Sequence, residues 1–441
     1  MGCPRHLSKV SSVQLTVRRF SYTLPVRLLS DALGPLSRSD RWGGLGPDSI
    51  ALAALAQVKG HPDDLRPLLG EEFDEAMTYL GEGEFTPLGR IHWKAILVSA
   101  AVGRLRLEQY LREGRELGVI KDPIFVVGLP RTGTSLVQRL IATDPARRGL
   151  RTNEMLTPIA PKRPSLLDAS KRYGYALLSY LIYKIFTPEL IRIHHTSPTS
   201  LEECWMLFMP SYAVMNADYI FPTPTFGNWL EQRDMTAPYE RYRRLLEILA
   251  LGSGERSYVL KSPEHLWFLD SLRRVFPTAR VIWTHRDPAA AVASYAAQMS
   301  LPNRQHRGVT DPKQMGDRVL SRFESGIARA ERSVADFSPG TLAHVRYEDL
   351  TADPVGTIER AFRELGLSVT PEHARHMREF LAGPQVDRHQ NHYVPETFGL
   401  TDPGIRERFS GYMSRFRLEP NRSQILSVPD LPPLLASSTR R

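Results

Sequence analysis

The residues best suited to chemistry stand just beyond short apolar runs. The clearest group is Gly128-Leu129-Pro130-Arg131-Thr132-Gly133-Thr134-Ser135, which follows Ile124 to Val127 and opens a helical pattern. Its glycines and Ser135 fit the phosphate-loop spacing G-x-x-x-x-G-K-[ST], while Thr134 stands where that pattern has Lys. The loop therefore keeps the backbone amides that cradle an anion and lacks the ammonium that reaches the β- and γ-phosphates of a triphosphate. Arg131 supplies a cation instead, its planar fork suited to two oxygens of a phosphate or sulfate. A phosphate donor other than ATP or GTP follows. Lys261 ends a second apolar run, Arg286 follows a third, and Ser294 lies eight residues beyond Arg286. That spacing carries Arg286 and Ser294 across a corner into the next helix, from where both approach one phosphate.

The elements that must position these side chains repeat one pattern, an apolar run, a charged or glycine-rich corner and a helix start. It recurs at Ile124 to Val127, Ser257 to Leu260, Arg280 to Thr284 and Leu342 to Tyr347. Short β-branched runs alternating with helices predict an α/β fold with a mostly parallel central sheet and crossover helices. Ligands of such sheets bind beyond the carboxyl ends of the strands, so Arg131, Lys261 and Arg286 are expected in one crevice. Ser262-Pro263, Asp287-Pro288 and Asp353-Pro354 read as N-caps followed by first helical residues, which gives Asp287 a structural rather than a catalytic role. In the helix opening at Thr134, Leu136, Val137, Leu140 and Ile141 share one face, so its free amides point at the loop.

Together, the loop at 128–135 and Arg286-Asp287-Pro288 with Ser294-Tyr295 resemble the two cofactor motifs of sulfotransferases that use 3′-phosphoadenosine 5′-phosphosulfate. Similarity to a bacterial branch of that family spans roughly residues 85 to 417. It includes Thr86-Pro87-Leu88-Gly89-Arg90, Glu202-Glu203-Cys204, Lys261-Ser262-Pro263-Glu264-His265, Phe398-Gly399-Leu400 and Arg406-Glu407-Arg408-Phe409. The resemblance implies a three-layer α/β/α fold of the P-loop type and in-line sulfuryl transfer to an acceptor hydroxyl. It also implies that Arg131, Thr132, Gly133, Thr134 and Ser135 hold the 5′-phosphosulfate, and that Arg286 and Ser294 hold the 3′-phosphate. Glu154 is the implied base, with His195 and His265 as rivals; Lys261 and His265 join Arg131 and Glu154 in the expected catalytic set. No metal is required, since arginine and amide donors do what Mg²⁺ does for triphosphates. Asn153, where the family often has Trp, bears on acceptor preference rather than on the cofactor. A nucleotide kinase would share sheet and loop but needs Lys at position 134, and a non-catalytic nucleotide-binding protein is the other alternative.

Composition sets the remaining bounds. The 441 residues are 42% hydrophobic and 24% charged, ordinary for a globular protein with one main domain and an extension. The expected layout is a basic N-terminal arm at 1–45 with disorder left open, a helical region at 46–120, a catalytic domain at 121–420 and a tail at 421–441. A net charge of +9 favours anionic partners, for which a nucleotide cofactor suffices; no motif points to nucleic acid. Cys3 and Cys204 alone exclude a disulfide framework and a cysteine metal site. The first 30 residues carry five Lys or Arg and no acid, a composition shared by solvated arms and organelle transit peptides. No apolar run approaches the ~18 residues of a membrane span, so a cytoplasmic or peripheral protein is expected. Tyr173, Tyr175, Leu177, Leu178, Leu181, Ile182 and Ile185 form a broad apolar helix face, read either as core or as a surface for a lipid acceptor at a membrane. Small molecules, carbohydrates and lipids all remain as acceptor classes.

Overall fold

The computed structural model describes residues 22, 24–159, 166–187, 189–190, 196–223, 225–251, 254, 256–383 and 394–420. Five parallel strands, β1 (Ile124–Gly128), β2 (Arg147–Arg148), β3 (Ser257–Lys261), β4 (Arg280–His285) and β5 (Leu342–Arg346), form one sheet in the order β2-β3-β1-β4-β5. Four of them are the expected runs. The fifth, the two-arginine edge strand β2, has no apolar signature and exists because Arg147 and Arg148 pair with Ser257 and Tyr258.

Strand alternation divides the core between two faces, as a period of two requires. Ile124 and Val126 of β1 pack with Val259, Ile282 and Val345 on one face, against Val137, Leu140 and Ile141 of helix Thr134–Ile141 and Phe362 of helix Pro354–Glu364. Phe125 and Val127 point the other way, into the larger core that includes Leu246, Leu272 and Phe323 and extends into the N-terminal helices. Helices therefore cover both faces, giving the α/β/α sandwich with a helical N-terminal region.

The backbone of the second layer is helix Pro87–Arg112. It starts at Pro87 because Thr86 caps it, its hydroxyl accepting from the Gly89 amide at 3.0 Å. Helix Glu72–Gly81 ends just before it. Upstream the sequence expectation needs correction, since residues 24–43 are not an arm but three short helices, Leu24–Ala32, Gly34–Arg38 and Asp40–Gly43. Ser30 and Ser37 are buried there, and Tyr22 is already fixed, its amide donating to the Gly308 carbonyl at 2.8 Å. The basic residues before position 22 and the tail from 421 lie outside the described residues.

Chain order explains where a site must form. From β1 the chain passes to the edge at β2, returns through β3 beside β1, and crosses to β4 on the other side. The connection reverses direction at β1, so a crevice opens above its carboxyl end, between the ends of β3 and β4.

Candidate active site

The loop leaves β1 with Gly128 at φ 147° and re-enters a helix at Gly133, φ 92°. Any side chain at Gly128 would meet Thr284 Oγ1 at 2.3 Å, and one at Gly133 would meet Leu350 at 2.9 Å, so both positions need glycine for close approach as well as conformation. Arg131 is itself left-handed, φ 70°, a conformation costly for a residue with a Cβ. Two bonds from the second motif hold it there. Arg131 Nε donates to Ser294 Oγ at 3.0 Å, and Arg286 Nη1 donates to the Arg131 carbonyl at 2.9 Å. The Arg286 guanidinium lies 3.9 Å from the centre of the Tyr347 ring, while its Nε is buried with no hydrogen-bond partner among the described residues. An unpaired buried guanidinium N–H beside a loop of free helix amides is the donor set an anion would complete.

Not every loop residue faces outward. Thr132 is wholly buried, its hydroxyl donating to the Leu129 carbonyl at 2.6 Å and lying 2.6 Å from Thr284 Oγ1. Its side chain ties the loop to β4, leaving only its backbone for a ligand. Ser294 is likewise turned to Arg131 and absent from the cavity wall, whereas Arg131, Gly133, Thr134, Ser135 and Arg286 line it.

Lys261, at the end of β3, is 1% exposed. Its Nζ donates to Glu203 Oε1 at 2.8 Å, and both residues line the same cavity as the loop. Glu203 is the site residue that sequence reasoning passed over. The Glu202-Glu203-Cys204 run marked the segment, but nothing in it announced a pairing with a lysine 58 positions away.

The expected bases fare differently. Glu154 lies on the short helix Thr152–Leu156, where it closes a capping box: Oε2 accepts from the Arg151 amide at 2.8 Å, and Oε1 pairs with the Arg148 guanidinium. It does not line the cavity, since Thr152, Met155 and Leu156 of that helix do so in its place. His265 is buried in the core, Nε2 3.2 Å from Cys204 Sγ and Nδ1 2.8 Å from the Tyr239 hydroxyl. Burial pulls its pKa down to about 3, and it does not line the cavity. His195 lies outside the described residues. Asp287 is the cap that was expected, accepting from the Ala289 amide at 3.0 Å, and it also holds Arg406 at 2.8 Å.

The cavity has a volume of about 1550 Å³ and runs from the loop, past Lys261 and Glu203, into an apolar compartment. That compartment is walled by helix Pro87–Arg112, helix Leu166–Phe186 and the segment around Met206 to Phe221, with Leu97, Val102, Ile182, Met209, Ile220 and Met299 among its lining residues. Arginines and backbone amides line one part of it, and hydrocarbon lines the rest. Such a shape joins a charged donor to an apolar acceptor.

A sequence model described as the sulfotransferase family matches residues 123–371, more than half of the chain. The chain belongs to the sulfotransferase family. Among curated relatives, the omega-hydroxy-beta-dihydromenaquinone-9 sulfotransferase Stf3 of Mycobacterium tuberculosis is 27% identical over 295 residues, covering 65% of this chain and 73% of that protein. The same enzyme from Mycobacterium bovis matches to the same extent. Among solved structures, sulfotransferase STF1 of Mycobacterium tuberculosis superposes with a TM-score of 0.64 at 29% identity, over 82% of this chain and 98% of its own. STF9 of Mycobacterium avium shares the fold, with a TM-score of 0.69 over 85% of this chain and 97% of its own at 24% identity. This sulfotransferase thus has a two-motif anion loop at the end of a long apolar cavity. None of its described helices is long and apolar enough to cross a membrane.

Proposed function

We propose that this sulfotransferase moves a sulfuryl group from 3′-phosphoadenosine 5′-phosphosulfate to the hydroxyl of an elongated, largely apolar acceptor. The observation that carries this reading is the single cavity that has Arg131 and Arg286 at one end, the Lys261–Glu203 pair beside them, and hydrocarbon walls beyond. The donor, when bound, supplies an activated sulfuryl group and a phosphate leaving group. The amides of residues 133–135 and the unpaired Nε of Arg286 offer the N–H donors its phosphates need. Arg131, anchored to Ser294, is set beside the loop to meet the negative charge released on the leaving phosphate.

Glu203 is assigned as the base in place of Glu154. As the acceptor oxygen forms its bond to sulfur and the sulfur–oxygen bond to phosphate breaks, the hydroxyl proton passes to Glu203, which Lys261 orients through its 2.8 Å bond. An apolar acceptor is favoured by the cavity and by a relative whose name specifies an omega-hydroxylated menaquinone derivative, a lipid-like alcohol. The catalytic unit is assigned to residues 121–420, and the cytoplasm to the reaction, because the nucleotide donor is charged and water-soluble.

Calorimetric titration with 3′-phosphoadenosine 5′-phosphate alongside ATP tests the donor. Tight binding of the bisphosphate, weak binding of ATP and loss of the former in Arg286→Ala are expected. A preference for ATP would overturn the reading and favour a kinase-like site.

A further inference from the structure

Helix Leu166–Phe186 is anomalous for a globular protein. Over 21 residues it buries only Ala176, although its sequence is largely apolar. Its two neighbouring faces do different things. Tyr175, Ser179, Ile182 and Tyr183 line the cavity. Leu167, Leu181 and Ile185 fall within one stripe of a 3.6-residue helix and point outward, with Ile185 67% exposed and Leu167 63% exposed, and Leu178 lies where that stripe meets the cavity. The helix thus forms the rim of the apolar compartment, greasy on the inside and greasy on the outside.

An outward apolar stripe of this length is costly in water and needs an occupant. Charge decides which. Lys171 and Lys184 are exposed on the same helix, and the half-exposed Trp42 also lines the cavity, with the Arg41 guanidinium 5.6 Å from its ring centre. Apolar side chains flanked by lysine, with an indole beside an arginine, match the interface of an anionic bilayer, where hydrocarbon enters the acyl boundary and cations meet headgroups. The net charge of +9 adds long-range attraction to the same surface.

We infer that helix Leu166–Phe186, with Trp42, docks this protein onto an anionic membrane, placing the mouth of the apolar compartment against the bilayer so that a lipid alcohol passes into it without crossing water. The inference rests on the reading of that compartment as the acceptor site, and it adds the partner from which the acceptor is drawn. Docking is peripheral and reversible. It needs no spanning helix, because a single amphipathic stripe sinks only to the depth of the headgroup boundary.

Flotation of the full chain with vesicles of phosphatidylglycerol and phosphatidylcholine tests it, compared with phosphatidylcholine alone. The protein is expected to float with the anionic vesicles, at least tenfold less with neutral ones, and at least tenfold less when Leu181→Glu and Ile185→Glu are combined. Neither residue lines the cavity, so the double variant is expected to keep wild-type circular dichroism and wild-type affinity for 3′-phosphoadenosine 5′-phosphate. Equal flotation of variant and wild type, or none by wild type, overturns the docking surface. A dimer seen by light scattering that the double variant dissociates, without vesicle binding, assigns the stripe to a second copy and also overturns it. Failure of the bisphosphate to bind would instead strike the donor reading and leave the flotation result standing.

Discussion

Lys261 Nζ and Glu203 Oε1 lie 2.8 Å apart at the point where the anion loop meets the apolar compartment. The lysine is buried on the last residue of β3, and the glutamate opens the segment Cys204–Ser211 that walls the compartment. The pair therefore fixes the segment Cys204–Ser211 to the end of β3.

That position separates two substitutions. Glu203→Gln keeps a hydrogen-bond acceptor for Lys261 and removes the proton acceptor, so kcat is expected to fall roughly 10²- to 10⁴-fold with bisphosphate affinity unchanged. Glu203→Ala leaves the lysine buried without its partner and is expected to lower stability as well, by about 3 kcal/mol or more. Single-turnover transfer of labelled sulfate, with calorimetry on the same samples, reads both. Wild-type turnover in Glu203→Gln would remove Glu203 as the base.

Arg286 is held beside the loop by two contacts, its Nη1 donating to the Arg131 carbonyl and its guanidinium lying over the Tyr347 ring. Replacing it by Lys preserves charge but not the fork, so Arg286→Lys is expected to recover little of the affinity lost in Arg286→Ala. A loss of about 10-fold to 100-fold is expected for each, from one charge-assisted bond worth roughly 1.5–3 kcal/mol. Full rescue by lysine would mean that charge alone matters there.

Glu154, about twenty residues past the loop, was read from the resemblance as the base, and the structure places it in a capping box outside the cavity lining. A carboxylate three residues after a helix start serves equally as a base or as one half of a capping box, and the choice depends on which way the short helix faces. Arg148 and the Arg151 amide make that choice. Glu154→Gln is thus expected to lower the melting temperature by a few degrees while leaving kcat within about threefold, consistent with a cap worth ~1 kcal/mol. A hundredfold loss of kcat at unchanged stability would return it to the catalytic set.

The same distinction runs through the whole molecule. β1, β3, β4 and β5 were legible because each is an apolar run ending in a polar corner, and local sequence carries both signals. β2 was not, since two arginines become a strand only when β3 lies beside them. His265 looked like a base because a histidine after a strand is locally ambiguous; its burial against Cys204 and Tyr239 is a tertiary fact. The apolar face of helix Leu166–Phe186 read more readily as core than as surface, and only packing showed that the helix buries one residue.

Glu264, one residue before His265, gives a prediction in the opposite pH direction from the histidines. It is buried, and desolvation raises its pKa to about 8, although the Met215 and Asn216 amides donate to it at 3.1 and 2.9 Å and favour the ion. A carboxyl whose folded pKa exceeds its unfolded value binds more protons folded, so its contribution to stability is complete at low pH and is lost as pH rises towards 8. Buried His265, lowered to about 3, and His92, lowered to about 4, act with the other sign, since stability rises with pH until the unfolded imidazole is neutral near 6.5. The two effects oppose one another below pH ~6.5, and above it only the glutamate remains. Thermal melts of wild type between pH 6.5 and 8 are therefore expected to fall with a slope that Glu264→Gln abolishes, whatever that variant does to absolute stability. Parallel slopes in the two proteins would show that Glu264 is already ionised and held by its two amide donors.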